Sequence, residues 1–193
     1  MKRIGVLAIQ GDFAEHIAAM NQVEGAEAFA VKKATEIATC AGLIIPGGES
    51  TTIGKICEAF GLDQAIIARC HEGMALWGTC AGLIYMSNDI ADYPDQQRLG
   101  LLNCRVKRNA FGRQVDSFET DLPVKGLEGG ETRAVFIRGP YVETAGDGVE
   151  VLSVYRDKIV AVRQGKLLGT AFHPELTDDR RVQRYFLKMV EAG

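Results

Sequence analysis

The sequence predicts an α/β protein with a mostly parallel, doubly wound sheet, helices on both faces, and a strand-rich, partly antiparallel second half. Three observations carry this. Strand-like and helix-like segments alternate over the first 88 residues, the pattern of parallel strands joined by helical crossovers. The strand-like segments are continuous apolar runs, as strands covered on both faces require. After Asn88 the rhythm changes to short strand-like stretches with few helices between them.

Taken in order, Ile4-Gly5-Val6-Leu7-Ala8-Ile9 is the first buried strand. Gln10-Gly11-Asp12 is a turn, with Asp12 as N-cap of a helix over Phe13 to Val23 that carries Phe13, Ile17 and Met20 at helical spacing. Ala28 to Val31 and Gly42 to Ile45 are the second and third strands, the latter ended by Pro46-Gly47-Gly48. Ser50 or Thr51 caps a helix running to about Phe60, and Leu62 to Glu72 is another helix. Met74 to Trp77 is a strand, and Leu83 to Met86 opens the helix that follows it. Asp89 to Arg98 is polar and contains Pro94, so it reads as a loop. Gly100 to Val106, Ser117 to Leu122, Ala134 to Arg138, Val149 to Tyr155, Lys158 to Arg163 and Leu167 to Phe172 are short strands, with hairpin turns at Asp157 and Gln164-Gly165. Asp178 or Asp179 caps a last helix through Val190, with Val182, Phe186 and Met189 along one face. No repeat, low-complexity tract or linker interrupts the chain, so one domain is expected over residues 1–193.

Composition narrows the function classes. A net charge of -3 supplies neither a basic field for nucleic acid nor a polybasic segment for a membrane surface. Lys2-Arg3 precedes an apolar run that ends at Ile9, too short for a signal-peptide core or a membrane span. The five cysteines (Cys40, Cys57, Cys70, Cys80, Cys104) form an odd set without a C-x-x-C pair, which argues against a disulfide framework or zinc site and for a reducing cytoplasm. Gly54-Lys55 lacks the spacing and the following Ser/Thr of a phosphate-binding loop. No metal or cofactor is expected.

The chain is organised around Gly78-Thr79-Cys80-Ala81-Gly82. A strand ends, one reactive side chain stands between two glycines, and a helix begins: the Gly-x-nucleophile-x-Gly elbow, with cysteine as nucleophile. The other four cysteines sit in no special turn and read as small buried hydrophobes. A base is sought among three histidines. His71 lies at a helix end, where it complements the helix dipole. His16 sits mid-helix, near the loop that ends the first strand, and is not the expected base. His173 follows an apolar strand in Phe172-His173-Pro174-Glu175, at the strand end where α/β sheets bind ligands. Pro174 favours an extended backbone at His173, and Glu175 can reach back to a ring nitrogen. Oxyanion donors are expected from the N–H of Ala81 and from the glycine turn at Gly47.

Pro46-Gly47-Gly48-Glu49-Ser50, Gly78-Thr79-Cys80-Ala81-Gly82 and His173-Pro174-Glu175 resemble the three signature segments of triad (class I) glutamine amidotransferases. More narrowly, the chain resembles the glutaminase subunits of pyridoxal 5′-phosphate synthases. That likeness rests on Gly5-Val6-Leu7-Ala8-Ile9-Gln10-Gly11, Gly48-Glu49-Ser50-Thr51-Thr52, Leu99-Gly100-Leu101-Leu102, Phe136-Ile137-Arg138-Gly139-Pro140 and, most specifically, Arg108-Asn109-Ala110-Phe111-Gly112-Arg113-Gln114 with Ser117-Phe118-Glu119. The resemblance covers nearly the whole chain. It implies hydrolysis of L-glutamine to L-glutamate and ammonia, with Cys80 forming a glutamyl thioester, His173 as general base and acid, and Glu175 as its orienter. It implies glutamine contacts at Gly48, Glu49, Ser50, Arg108, Ile137 and Arg138. It also implies a (β/α)8-barrel synthase partner, twelve subunits of each kind, whose docking completes the oxyanion site near Gly47 and Gln10. Two other readings stay open: the glutaminase of a different amidotransferase, and a non-catalytic, redox-sensing regulator of the same fold.

Overall fold

The computed structural model describes residues 1–109 and 117–192. Its first half runs β1 (Lys2–Leu7), α1 (Phe13–Met20), β2 (Ala26–Val31), α2 (Ala34–Ile37), β3 (Gly42–Ile45), α3 (Ser50–Ala59), α4 (Leu62–His71), β4 (Ala75–Thr79) and α5 (Ala81–Met86). The second half runs β5 (Ser87–Ile90), β6 (Leu102–Lys107), β7 (Ser117–Leu122), β8 (Thr132–Ile137), β9 (Tyr141–Ala145), β10 (Glu150–Tyr155), β11 (Lys158–Gln164) and β12 (Leu167–Thr170). A single 3-10 turn, Pro174–Leu176, leads to α6 (Arg181–Glu191).

The strands of the first half pair in parallel in the order β2-β1-β3-β4. β3 and β4 are buried at every position, which is why they read as unbroken apolar runs. β12 extends the parallel order beside β4; β11, β9 and β6 then continue the sheet in antiparallel pairs. Two-residue turns join β10 to β11 and β11 to β12, with Arg156, Asp157 and Gly165 at the positive φ such turns need.

Side chains alternate across a strand, so neighbours in β4 identify what covers each face. The Trp77 ring meets His16 of α1 edge-on and Phe186 of α6, both with centroids 5.5 Å away. A Cβ at Gly78, on the other face, would lie 2.5 Å from the Gly82 carbonyl carbon in α5. Thus α1 and α6 cover one face and α5 the other, with α3 packed on α5 and α4 on α3. Trp77 is fully buried, and truncating it to alanine would cost about 3–5 kcal/mol while loosening both helices it supports.

The β7–β8 pair forms a separate two-stranded sheet. It is held to the main sheet through rings: Phe118 stacks on Phe136 at 4.7 Å, and Phe136 contacts Phe172 and Tyr155, each at 5.8 Å. This aromatic cluster anchors the end of β8, Ile137, and the Arg138 that follows it, beside the elbow after β4.

The structure departs from the sequence expectations at several points. Neither Ser50 nor Thr51 caps α3. Glu49 does, its carboxylate accepting from the N–H groups of Thr51 (3.3 Å) and Thr52 (2.8 Å). Asp12 precedes α1 but makes no side-chain cap bond. The short elements α2, β5 and β9 have no counterpart in the apolar pattern, being four or five residues each with polar members. β12 ends at Thr170; beyond it the Ala171 N–H donates to Val160 (2.8 Å) and the His173 N–H donates to Val135 of β8 (2.8 Å). Residues Ala110 to Gln114 of the most specific family segment lie outside the described residues. No described helix is long and apolar enough to cross a membrane.

Candidate active site

The elbow forms as its spacing demands. Cys80 sits between β4 and α5 with φ 49° and ψ -103°, a conformation a non-glycine residue adopts only under constraint. Its N–H donates to the Thr170 carbonyl at 2.8 Å, tying the turn to β12. A Cβ on Gly82 would overlap the Ile45 carbonyl of β3. Glycine therefore lets α5 begin directly against the sheet, and the thiol is left at the sheet's C-terminal edge. There it is only 8% exposed, and its S–H points to the Ile137 carbonyl at 3.8 Å. Arg138, next to that carbonyl, is a second non-glycine residue at positive φ (47°). Backbone strain thus lies on both sides of the thiol.

His173 leaves β12 with φ -109° and ψ 85°, on the extended side as the following proline requires. The 3-10 turn then brings Glu175 back, and its Oε1 lies 2.7 Å from His173 Nδ1. Both residues are buried. His173 Nε2 is buried with no hydrogen-bond partner among the described residues. Burial disfavours the imidazolium, but the Cys80 sulfur and the Glu175 carboxylate, which favour a positive ring beside them, outweigh it and carry the ring's pKa up to about 10. Glu175 is likewise disfavoured as an anion by burial, yet His16 and His173 hold its carboxyl below the ordinary range.

Cys80, Ala81, Gly48, Glu49, Ser50, Arg108, Ile137, Arg138 and His173 border one cavity of about 430 Å³, together with Asp12, Ile84 and Asn109. The remaining predicted residues stand just behind its wall. Gly47 packs on the His173 ring; a Cβ there would lie 2.5 Å from the ring's Cε1. Glu175 lies beneath the same ring. Gln10 accepts a hydrogen bond from the Glu49 N–H at 2.8 Å and supports the turn at Gly48. Opposite the triad, Arg108 donates to Glu49 (3.3 Å) and to Gln96 (2.7 Å) and lies over the Tyr93 ring at 4.6 Å. Gln96 in turn donates to the Ser50 hydroxyl at 2.9 Å.

Sequence reasoning missed three of these groups. Asp12, expected as a helix cap, sends its carboxylate to within 3.8 Å of His173 Nδ1; burial, then Glu175 and Glu15, raise its pKa against the pull of His173. Its position at the C-terminal end of β1, where α/β sheets place ligands, was the signal available. His16 is buried beside Glu175. Gln96, in a polar loop, carried no signal. The other cysteines behave as expected of buried thiols: burial pushes Cys40 and Cys57 up to about 11 and Cys70 and Cys104 up to about 12.

A strained cysteine at a strand-helix elbow, a buried histidine and a carboxylate behind it are the three kinds of group that an amide-hydrolysing cysteine site requires as nucleophile, base and orienter. The fold matches proteins of that class. A solved glutamine amidotransferase superposes with a TM-score of 0.93 at 51% identity, covering 98% of this chain and 99% of that one. A chain in the solved PurLQS structure from Thermotoga maritima shares the fold at a TM-score of 0.71 and 19% identity, covering 97% of this chain and 99% of that one. Residues 6–192 match the SNO glutamine amidotransferase family, and the chain belongs to it. A relative from Acidothermus cellulolyticus, pyridoxal 5′-phosphate synthase subunit PdxT, is 54% identical over 196 residues, covering 98% of this chain and 94% of its own length.

Proposed function

We propose that the chain hydrolyses L-glutamine to L-glutamate and ammonia and delivers the ammonia to a synthase subunit that makes pyridoxal 5′-phosphate. The observation that carries the reading is Cys80, on its strained elbow, sharing one cavity with a histidine whose far nitrogen is bonded to a buried carboxylate. Membership of a glutamine amidotransferase family and the name of the 54% identical relative support the substrate and the partner.

His173, held toward its charged form, carries the thiol's proton on Nε2 while Cys80 Sγ attacks the side-chain amide carbon of glutamine, and the carbonyl π pair moves onto oxygen. Backbone N–H groups at Ala81, the first residue of α5, and at the Gly47 turn receive that oxyanion. The C–N bond breaks as His173 returns the proton to the leaving amide nitrogen, giving ammonia and a glutamyl thioester. Water, deprotonated by His173, then attacks the thioester; the C–S bond breaks and glutamate leaves as Cys80 recovers its proton. Glu175 stays ionised throughout, fixing the ring so that Nε2 carries the proton in transit.

Recognition comes from the opposite wall. Glutamine's α-ammonium and α-carboxylate match the Glu49 carboxylate and the Arg108 guanidinium, which already face each other at 3.3 Å. Gly48, Ser50, Ile137 and Arg138 shape the remaining contacts. The partner is a synthase with a (β/α)8 barrel, joined to this chain in a twelve-plus-twelve complex and docking near Gln10 and the Gly47 turn. All five cysteines are free, which supports a reducing cytoplasm as the working compartment.

Ammonia and glutamate release from glutamine, measured for the chain alone and with the synthase partner present, tests the whole reading. Little activity alone and strong activation by the partner is expected. Turnover indifferent to the partner would contradict the partner assignment, and no turnover in either condition would contradict the glutaminase.

A further inference from the structure

The mechanism above leaves one buried titratable side chain beside the triad unused. His16 of α1 is 1% exposed. Its Nε2 lies 2.9 Å from the Thr79 hydroxyl and 3.4 Å from Glu175 Oε1, the same oxygen that bonds His173. Thr79 is the residue before the nucleophile. We propose that His16 is a positioning residue for the glutaminase reaction: its Nε2 is hydrogen-bonded to the Thr79 hydroxyl and held beside Glu175 Oε1, so that the ring links the triad's carboxylate to the Cys80 elbow.

The tautomer follows from the neighbours. A lone pair on Nε2 would face the Glu175 carboxylate, so the proton must sit there. Nδ1 is buried and has no hydrogen-bond partner among the described residues. Protonating it would bury an unbonded N–H, so the imidazolium is disfavoured; burial lowers the ring's pKa accordingly, against the attraction of Glu175. The two histidines on Glu175 therefore divide the work. His173 is held toward its charged form and moves the proton, while His16 is held neutral and stays still. Among the described side chains His173 is the one hydrogen-bonded to the buried Glu175 carboxylate, so the Nε2–H edge of a second imidazole 3.4 Å from Oε1 adds a favourable dipole where solvent supplies none. The edge-on contact of the imidazole with Trp77, at an interplanar angle of 88°, fixes the ring plane. The other ionisable groups around this pair are Asp12 and Glu15 from the α1 side and Cys80 from the elbow.

The inference rests on the glutaminase reading, so wild type and variants are assayed together in the complex with the synthase partner. His16→Leu should lower kcat about ten- to hundredfold with KM for glutamine unchanged. The acid limb of its kcat–pH profile should move to higher pH, because Glu175 loses a nearby dipole that favours its charged form. His16→Gln can place an amide N–H where Nε2 stands and should recover most of the rate and the limb. A Leu variant with wild-type rate and limb, or a Gln variant as impaired as Leu, would overturn the proposal. A wild type without turnover would instead break the glutaminase reading. The histidine 15N spectrum of the unmutated chain decides the point without turnover: His16 should appear neutral and Nε2-protonated through neutral pH, and an Nδ1–H tautomer or an imidazolium would overturn the assignment.

Discussion

On one side of the cavity Cys80, His173 and Glu175 are buried and bound to the sheet by backbone and side-chain hydrogen bonds. On the other, Glu49 and Arg108 stand partly in solvent on the cap of α3 and the end of β6, and Arg138 is exposed after β8. On the proposed reading the reacting groups are preorganised where water is scarce, so small shifts in their placement should change the rate steeply. The recognition groups are screened and already satisfy one another, so changing them should change binding more than chemistry. Loss of the buried wall should be read in kcat and loss of the open wall in KM.

Cys80→Ala is the hardest break: kcat in the presence of the partner should fall about 10⁴-fold or more, with glutamine binding retained in calorimetry. Glu175→Gln keeps the shape but replaces the carboxylate that orients His173 and should cost about 10²- to 10⁴-fold in kcat, read by steady-state ammonia release. Arg108→Ala probes the open wall. KM for glutamine should rise about 10- to 100-fold with kcat nearly unchanged, the loss expected for a charge-assisted hydrogen bond. A kcat loss of equal size would show that the two walls are not separable.

The buried wall also has a pH signature. The folded pKa of His173 is raised to about 10, above its ordinary value, so its partners stabilise the fold fully below that ordinary value and lose this effect as pH rises through the folded one. The difference in Tm between wild type and His173→Gln should therefore be greatest near pH 6, about the unperturbed histidine value, and shrink toward pH 10. Glu175 behaves oppositely: with its folded pKa lowered, its contribution is present above the ordinary carboxylate value and fades as pH falls. The smallest effect on activity is expected at Cys57→Ser and Cys104→Ser, both remote from the cavity lining. Turnover should stay within about twofold while stability drops by about 1–3 kcal/mol from burying a hydroxyl, as a urea melt would show.

The buried wall was also the more legible in sequence. Strands β3 and β4 are covered on both faces and announce themselves as apolar runs, and the elbow's glycines are forced by contact with the sheet. His173 and Glu175 were readable because proline fixes the chain between them. The groups that surround them were not. Asp12 carries the signature of a helix cap yet turns its carboxylate toward His173, a choice set by a strand end far along the chain. His16 looks like any mid-helix histidine until the fold brings Glu175 to it. Glu49 displaced Ser50 and Thr51 as the cap of α3 because a two-oxygen carboxylate reaches both free N–H groups at once. Strands β5 and β9 are held by their neighbours in the sheet rather than by their own pattern.

The most direct test of the central claim, that Cys80 alone among five cysteines is the nucleophile for glutamine, is intact-mass analysis after treatment with an electrophilic glutamine analogue in the presence of the synthase partner. One adduct is expected, on Cys80, blocked by excess glutamine and absent from Cys80→Ala, with Cys40, Cys57, Cys70 and Cys104 unmodified. An adduct on any of those four, or equal labelling of Cys80→Ala, would contradict it.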